Sequence, residues 1–155
     1  MTAQGRPGER GLLVDEASVR ALLVSTYGKI GETAALEFLA GGISSSIVRV
    51  QLGDECLVLK QALPMLRVAE PWYSSPERSA IEVRCARLFE ELLPRSVPRV
   101  LREFPAQHAF AMTCAPEGSQ PWKTLLLAGT IRVDHARRAG ALLGDIHGRS
   151  AMRPE

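Results

Sequence analysis

Several things are missing from this chain, and each absence removes a class of function. No stretch of its 155 residues approaches the about 20 consecutive apolar residues of a membrane-spanning helix, so no membrane partner is expected. Residues 1–11, from Met1 to Gly11, are polar and rich in glycine and arginine. They lack the apolar segment of a secretory signal and read as a disordered amino terminus. No dense Lys/Arg stripe accompanies the net charge of +2, which argues against nucleic acid as the main partner. Cysteine is scarce. Cys56, Cys85 and Cys114 form no C-x-x-C pair, and each falls within an apolar run. Buried, reduced thiols are therefore expected, in keeping with a reducing cytosol and a cytoplasmic location. No Ser/His/Asp set and no metal-ligand cluster stands out. Asp134-His135 and Asp145-Ile146-His147 invite an acid–base or metal reading, but Asp145 and His147 are two apart on an expected helix and face different directions. His147 is expected to close that helix with a side-chain hydrogen bond, and His108 to sit in a turn.

What remains is an ordinary soluble composition, 46% hydrophobic and 23% charged, at a length that suits one domain burying about two thirds of its surface. The most informative segment is a glycine-serine turn, Gly41-Gly42-Ile43-Ser44-Ser45-Ser46, followed by two apolar runs. The first is Ile47-Val48-Arg49-Val50-Gln51, and the second, Cys56-Leu57-Val58-Leu59-Lys60, ends in a lone lysine. Glycines let a backbone approach phosphate oxygens, small hydroxyl side chains leave its amides open, and a lysine on the following strand neutralises phosphate charge. Two plainer readings stay open: a solvent-facing turn, and a lysine that snorkels from the sheet edge.

The periodicity predicts a helix from Asp15 with Val19, Leu22, Leu23 and Tyr27 inward, ended by Gly28 and Gly31. A short strand at 36–39 enters the glycine turn. A hairpin of 47–51 and 56–61 follows, with Val48 and Val50 on one face and Ile47 and Arg49 on the other. A long helix is expected from near Glu77 to Leu93, starting at Ser75 or Pro76, with Ile81, Cys85, Leu88, Phe89 and Leu92 as its apolar stripe. Two more strands, Val97 to Phe104 and Ala109 to Thr113, lead into a linker at Ala115-Pro116-Glu117-Gly118. A short helix (Trp122 to Leu127) and a last one (Val133 to His147, with Ala136, Ala139, Leu142, Leu143 and Ile146 inward) complete the chain.

Lys60 in an apolar strand calls for an anionic partner. Glu82, beside Ile81 and near Cys85, is expected to face the sheet and supply it. Glu77 competes, but a carboxylate at a helix start is already explained by the helix dipole. Glu90 and Glu91 read as solvated surface.

Taken together, these segments resemble the aminoglycoside phosphotransferase family of protein-kinase-like small-molecule kinases. The likeness rests on residues 41–46, on Val58-Leu59-Lys60-Gln61-Ala62-Leu63-Pro64, on Glu82, on Ala115-Pro116-Glu117-Gly118 and on Leu142-Leu143-Gly144-Asp145-Ile146-His147. The Lys-Gln-Ala-Leu-Pro run, with Arg67 and Trp72 after it, looks most like the family's methylthioribose-kinase branch. The resemblance implies an α+β fold: a kinase-like amino-terminal lobe over 12–114, with a five-stranded antiparallel sheet and one long helix. Residues 115–155 would then be a linker and the first helices of an incomplete second lobe. It further implies ATP-dependent phosphorylation of a hydroxyl on a small molecule. Gly41, Gly42, Ile43, Ser44, Ser45 and Ser46 would cover the phosphates, with Val58 beside them. Lys60 would contact the phosphates, Glu82 would hold Lys60, and Met112, Thr113 and Cys114 would border adenine. The family's catalytic His-Gly-Asp loop and magnesium-binding Asp have no match here, because Asp145 follows Leu143-Gly144 within helical periodicity. The chain is thus expected to be a fragment without catalytic residues of its own, inactive alone, with magnesium and the acceptor engaged only by a complete protein. The apolar face of its last helix is expected to invite self-association. A non-catalytic nucleotide-binding or protein-interaction module is the alternative.

Overall fold

Asp15 starts the first helix, α1 (Glu16–Tyr27), with a reciprocal cap. Its carboxylate accepts from the Ser18 N–H at 2.8 Å, and the Ser18 hydroxyl accepts from the Asp15 N–H at 3.3 Å. Gly28, at φ 64°, turns the chain out of the helix, and a one-turn helix α2 (Lys29–Glu32) follows. The computed structural model describes Leu13 and residues 15–152, so the disorder expected for 1–11 concerns residues outside that range.

Five strands form one antiparallel sheet in the order β1-β2-β3-β5-β4. They are β1 (Ala35–Phe38), β2 (Ser45–Leu52), β3 (Glu55–Ala62), β4 (Val100–Phe104) and β5 (Ala109–Thr113). The α+β class with a five-stranded antiparallel sheet is as the sequence suggested, and it is compatible with a kinase-like amino-terminal lobe. Strand β4 begins three residues later than expected. Pro98 has no N–H to give a ladder, and Arg95 at φ 67° belongs to the preceding loop.

Alternation separates the two faces of the sheet. Val48, Val50, Leu52, Leu57, Leu59, Ala109 and Ala111 pack with Val19 and Leu23 of α1 in one core cluster. Each such aliphatic side chain contributes roughly 1.5–3 kcal/mol by leaving water. Leu13 is tied into this layer by polar bonds: its N–H donates to the Gln61 side chain at 2.6 Å, and its carbonyl accepts from the Ser46 hydroxyl at 3.0 Å. The register pairs Val50 with Leu57 and Val58 with Met112, so the residues between the core positions share the opposite face. Helix α3 (Arg78–Leu92) flanks that opposite face.

Two expectations about the helices need correction. The buried residues of α3 are Ser79, Val83 and Leu92, whereas Ile81 is 55% exposed and Cys85 is exposed. On an ideal helix Ile81 and Cys85 lie roughly opposite Ser79 and Ala86. The inward side carries Ser79, Glu82 and Val83 at its start, and Leu92, which the periodicity did place inward, is buried at its end. The last helix, α5 (Val133–Ser150), buries none of its residues, and Leu142 and Leu143 are exposed rather than inward. It leans on α3 near its end, where the Arg149 guanidinium donates to the Leu92 carbonyl at 2.5 Å. It closes through the His147 backbone carbonyl, which accepts from the Ala151 N–H at 3.0 Å, in place of the side-chain bond expected of His147. Helix α4 (Trp122–Leu127) falls where the sequence placed it. No described helix is long and apolar enough to cross a membrane.

Candidate functional site

Lys60 lies on β3 opposite Ile47 of β2 and Phe110 of β5, on the sheet face that α3 flanks. Its ammonium donates to Glu82 Oε1 of α3. Glu82 reaches the sheet because it is one turn beyond Arg78 and adjacent to Val83, which is 3% exposed. The competitor Glu77 is exposed and makes no capping bond. Side-chain exposures of 22% for Lys60 and 42% for Glu82 mean the pair retains contact with water. Its desolvation penalty is correspondingly small, and the ammonium stays accessible to a further anionic group.

The next row of this face holds Arg49, Val58 and Met112, with Val58 and Met112 half-buried. Arg49 is turned aside by Glu37, at 3.4 Å. One pleat further on lie Cys56 and Cys114, and they form a disulfide with their Cα atoms 5.7 Å apart. The expectation of three buried, reduced thiols is therefore wrong twice: two are bonded to each other, and Cys85 is exposed. Cys56 precedes Leu57, which pairs with Thr113, so the register brings Cys56 level with Cys114 although 58 residues separate them. The reducing-compartment argument that rested on free thiols falls with it.

The glycine turn connects β1 to β2 beside Lys60. Gly41 adopts φ 91°, which favours glycine, and a Cβ on Gly42 would stand 2.3 Å from the Ser45 carbonyl oxygen. Ser45 and Ser46 belong to β2 and are buried, and the Ser46 hydroxyl is committed to Leu13. The tip is therefore Gly41 to Ser44. Three of its carbonyls bond to the segment after β3 or to α3. The Gly42 carbonyl accepts from the Arg67 guanidinium at 3.3 Å, Ile43 from the Arg67 N–H at 2.9 Å, and Ser44 from the Leu63 N–H at 2.9 Å and from Arg78 at 2.5 Å. In a trans peptide the carbonyl of one residue and the N–H of the next point in opposite directions. The N–H groups of Ile43, Ser44 and Ser45 are thereby turned away from those anchors. Among the described residues, those of Gly41, Gly42, Ile43 and Ser44 have no protein acceptor. A run of unpaired amides beside a lysine is an arrangement that receives anions.

A cleft of about 440 Å³ lies between the α3–β4 connection and the chain leaving β5, and it includes Thr113, Cys114 and Pro116. Neither Lys60 nor Glu82 lines it. The structure thus brings Lys60, Glu82 and the glycine tip together, with Val58 and Met112 along the same face. Thr113 and Cys114 sit at its far margin. Sequence reading gave no site role to Arg78, or to Arg67, which it used only for the resemblance. Arg78 did carry a signal, because a cation in the first turn of a helix opposes the helix dipole and needs another reason to be there. Among the described residues, no group of three or more His, Cys, Asp or Glu could hold a metal ion.

The fold and this face are those of an α+β domain compatible with a kinase-like lobe. The chain is 36% identical over 95 residues to methylthioribose kinase from Exiguobacterium sibiricum, a match covering 60% of this chain and 24% of that protein. The chain thus spans about a quarter of the length of the curated relative it matches. No protein-family model matches it. The similarity supports a kinase-like, phosphotransferase-type relationship at a coarse level.

Proposed function

We propose that this chain supplies the nucleotide-binding lobe of an ATP-dependent phosphotransferase acting on a hydroxyl of a small molecule, within the aminoglycoside phosphotransferase family. One observation carries the reading: Lys60, held by Glu82, lies on the strand after a glycine turn whose Gly42, Ile43 and Ser44 carbonyls are anchored and whose Gly41 to Ser44 amides have no acceptor among the described residues. In this proposal the amides of Gly42, Ile43 and Ser44 receive phosphate oxygens, and Lys60 contributes charge to the same phosphates. Glu82 restrains the ammonium, and Val58 and Met112 offer apolar surface to adenine. Residues 115–155 act as linker and first helices of the second lobe. The donor set fits a nucleotide triphosphate. It does not fit magnesium among the described residues, so neither metal ligands nor an acceptor site is assigned to this chain. The similarity to methylthioribose kinase makes a thiosugar of that kind the first acceptor to try with the complete protein.

Titration calorimetry with Mg-ATP tests the nucleotide site. A partial site should bind in the millimolar range, about 4 kcal/mol. Lys60→Ala should weaken it by roughly 1–3 kcal/mol, the loss typical of a charged hydrogen-bond partner. Equal binding by wild type and Lys60→Ala would overturn the assignment of Lys60.

A further inference from the structure

We infer that Arg78 is a positioning residue that locks the glycine tip to the helix carrying Glu82, so that the amides and the Lys60 ammonium keep a fixed separation. The inference rests on the nucleotide-site reading above and deepens it. Arg78 is the first residue of α3, where the positive end of the helix dipole disfavours a cation. Its guanidinium offsets this with four bonds to backbone carbonyls from three segments. Nη1 donates to Ser74 at 3.2 Å and Ser75 at 2.8 Å, and Nη2 donates to Ser44 at 2.5 Å and Leu63 at 2.9 Å. Ser44 is the tip of the glycine turn, Leu63 directly follows β3, and Ser74 and Ser75 lead into α3. No carboxylate takes part in these bonds. A planar fork with five donors can serve several acceptors from one position, which a lysine ammonium on a flexible stem does not reproduce.

The consequence is mechanical. Glu82 is four residues beyond Arg78, on the same side of one helical turn. A shift of α3 that moved Glu82 would also pull the Ser44 carbonyl, and with it the end of the turn that carries the Gly42, Ile43 and Ser44 amides. Lys60 is coupled to the same helix through Glu82. The two halves of the phosphate site are therefore joined through α3, by Arg78 at one point and Glu82 at the next.

The test compares the full chain with Arg78→Met and Arg78→Lys in two measurements. Hydrogen exchange by mass spectrometry reads, without any ligand, the Leu63 and Arg67 amides, which donate to the turn carbonyls of Ser44 and Ile43. Calorimetry reads Mg-ATP against adenosine, which lacks phosphates. Expected for Arg78→Met are faster exchange at Leu63 and Arg67, with the β2–β3 ladder unchanged, and ATP affinity reduced roughly tenfold while adenosine stays within about twofold. Arg78→Lys should recover less than half of either effect. Unchanged exchange at Leu63 and Arg67 would overturn the inference whether or not nucleotide binds. So would a uniform rise in exchange across the sheet with ATP and adenosine weakened alike, because that pattern marks a merely structural arginine. If wild type binds no ATP but Arg78→Met still frees the turn, the positioning role stands and the nucleotide reading fails.

Discussion

Glu82→Gln separates what the Lys60–Glu82 pair does for stability from what it does for a ligand. The pair sits between surface and core, with 22% of the Lys60 side chain and 42% of the Glu82 side chain exposed. Exposed pairs contribute about 0.2–1 kcal/mol, and fully buried ones lose several kcal/mol when one partner is removed. This geometry belongs near the upper end of the exposed range. Glutamine also keeps an acceptor oxygen at the same position, so the change should cost about 1 kcal/mol or less. For a domain of this size that lowers the melting temperature by about 2–4 °C. The ligand effect should be larger in proportion. Without the carboxylate the ammonium is free to swing toward solvent, and the affinity for Mg-ATP should fall about three- to tenfold while that for adenosine does not. Glu77→Gln, at an exposed helix start with no capping bond, should change neither quantity. Thermal melts and calorimetry on the same three proteins decide it. A stability loss above about 3 kcal/mol would show that the pair is a structural element of the fold. Unchanged ATP affinity in Glu82→Gln, or a loss in Glu77→Gln, would show that the wrong carboxylate has been given the role.

Reduction of the Cys56–Cys114 disulfide opens a crosslink spanning 58 residues, for which chain entropy gives about 4 kcal/mol and measured cases about 2–4. Dithiothreitol should accordingly lower the melting temperature by about 5–15 °C, and Cys56→Ser should reproduce that shift while Cys85→Ser leaves it unchanged. The Asp15 carboxyl is held below its ordinary value of 3.8, first by the Ser18 backbone N–H and then by the Ser18 hydroxyl. A lowered native value means that the cap's contribution is present above pH 3.8 and is lost as pH falls through the native value. Asp15→Asn should keep the cap at pH 7 and flatten the decline in melting temperature below pH 4, and an unaltered acid profile would refute this. Gly42→Ala places a carbon 2.3 Å from the Ser45 oxygen, so it should destabilise by about 1–3 kcal/mol and displace the turn amides, as seen by exchange.

The sheet was legible in the sequence because its strands obey local rules. Val48 and Val50 alternate with Ile47 and Arg49, and Asp54 beside Gly53 marks the hairpin turn. The cysteine pairing was not legible, since Cys56 and Cys114 become neighbours only once β5 is known to lie beside β3. Helix α3 is the instructive case. The sequence reading paired Lys60 with Glu82, and so does the structure, but the argument used Ile81 and Cys85 as inward neighbours and both are exposed. Ser79 and Val83 are the buried neighbours, and one valine beside a serine is too little for apolar periodicity to reveal. A different signal was available at these positions. Lys60 stands in a run of strand-forming aliphatics, Glu82 on the inward side of a helix, and Arg78 at the helix end where a cation is least favoured. Each breaks the local preference of its element, and in the structure each is answered by a specific partner: Lys60 and Glu82 by one another, Arg78 by the glycine tip. Residues that violate local rules and are then satisfied by one another across separate elements are where a sequence shows constraint beyond folding. Here the two answers, Lys60 to Glu82 and the glycine tip to Arg78, meet on helix α3.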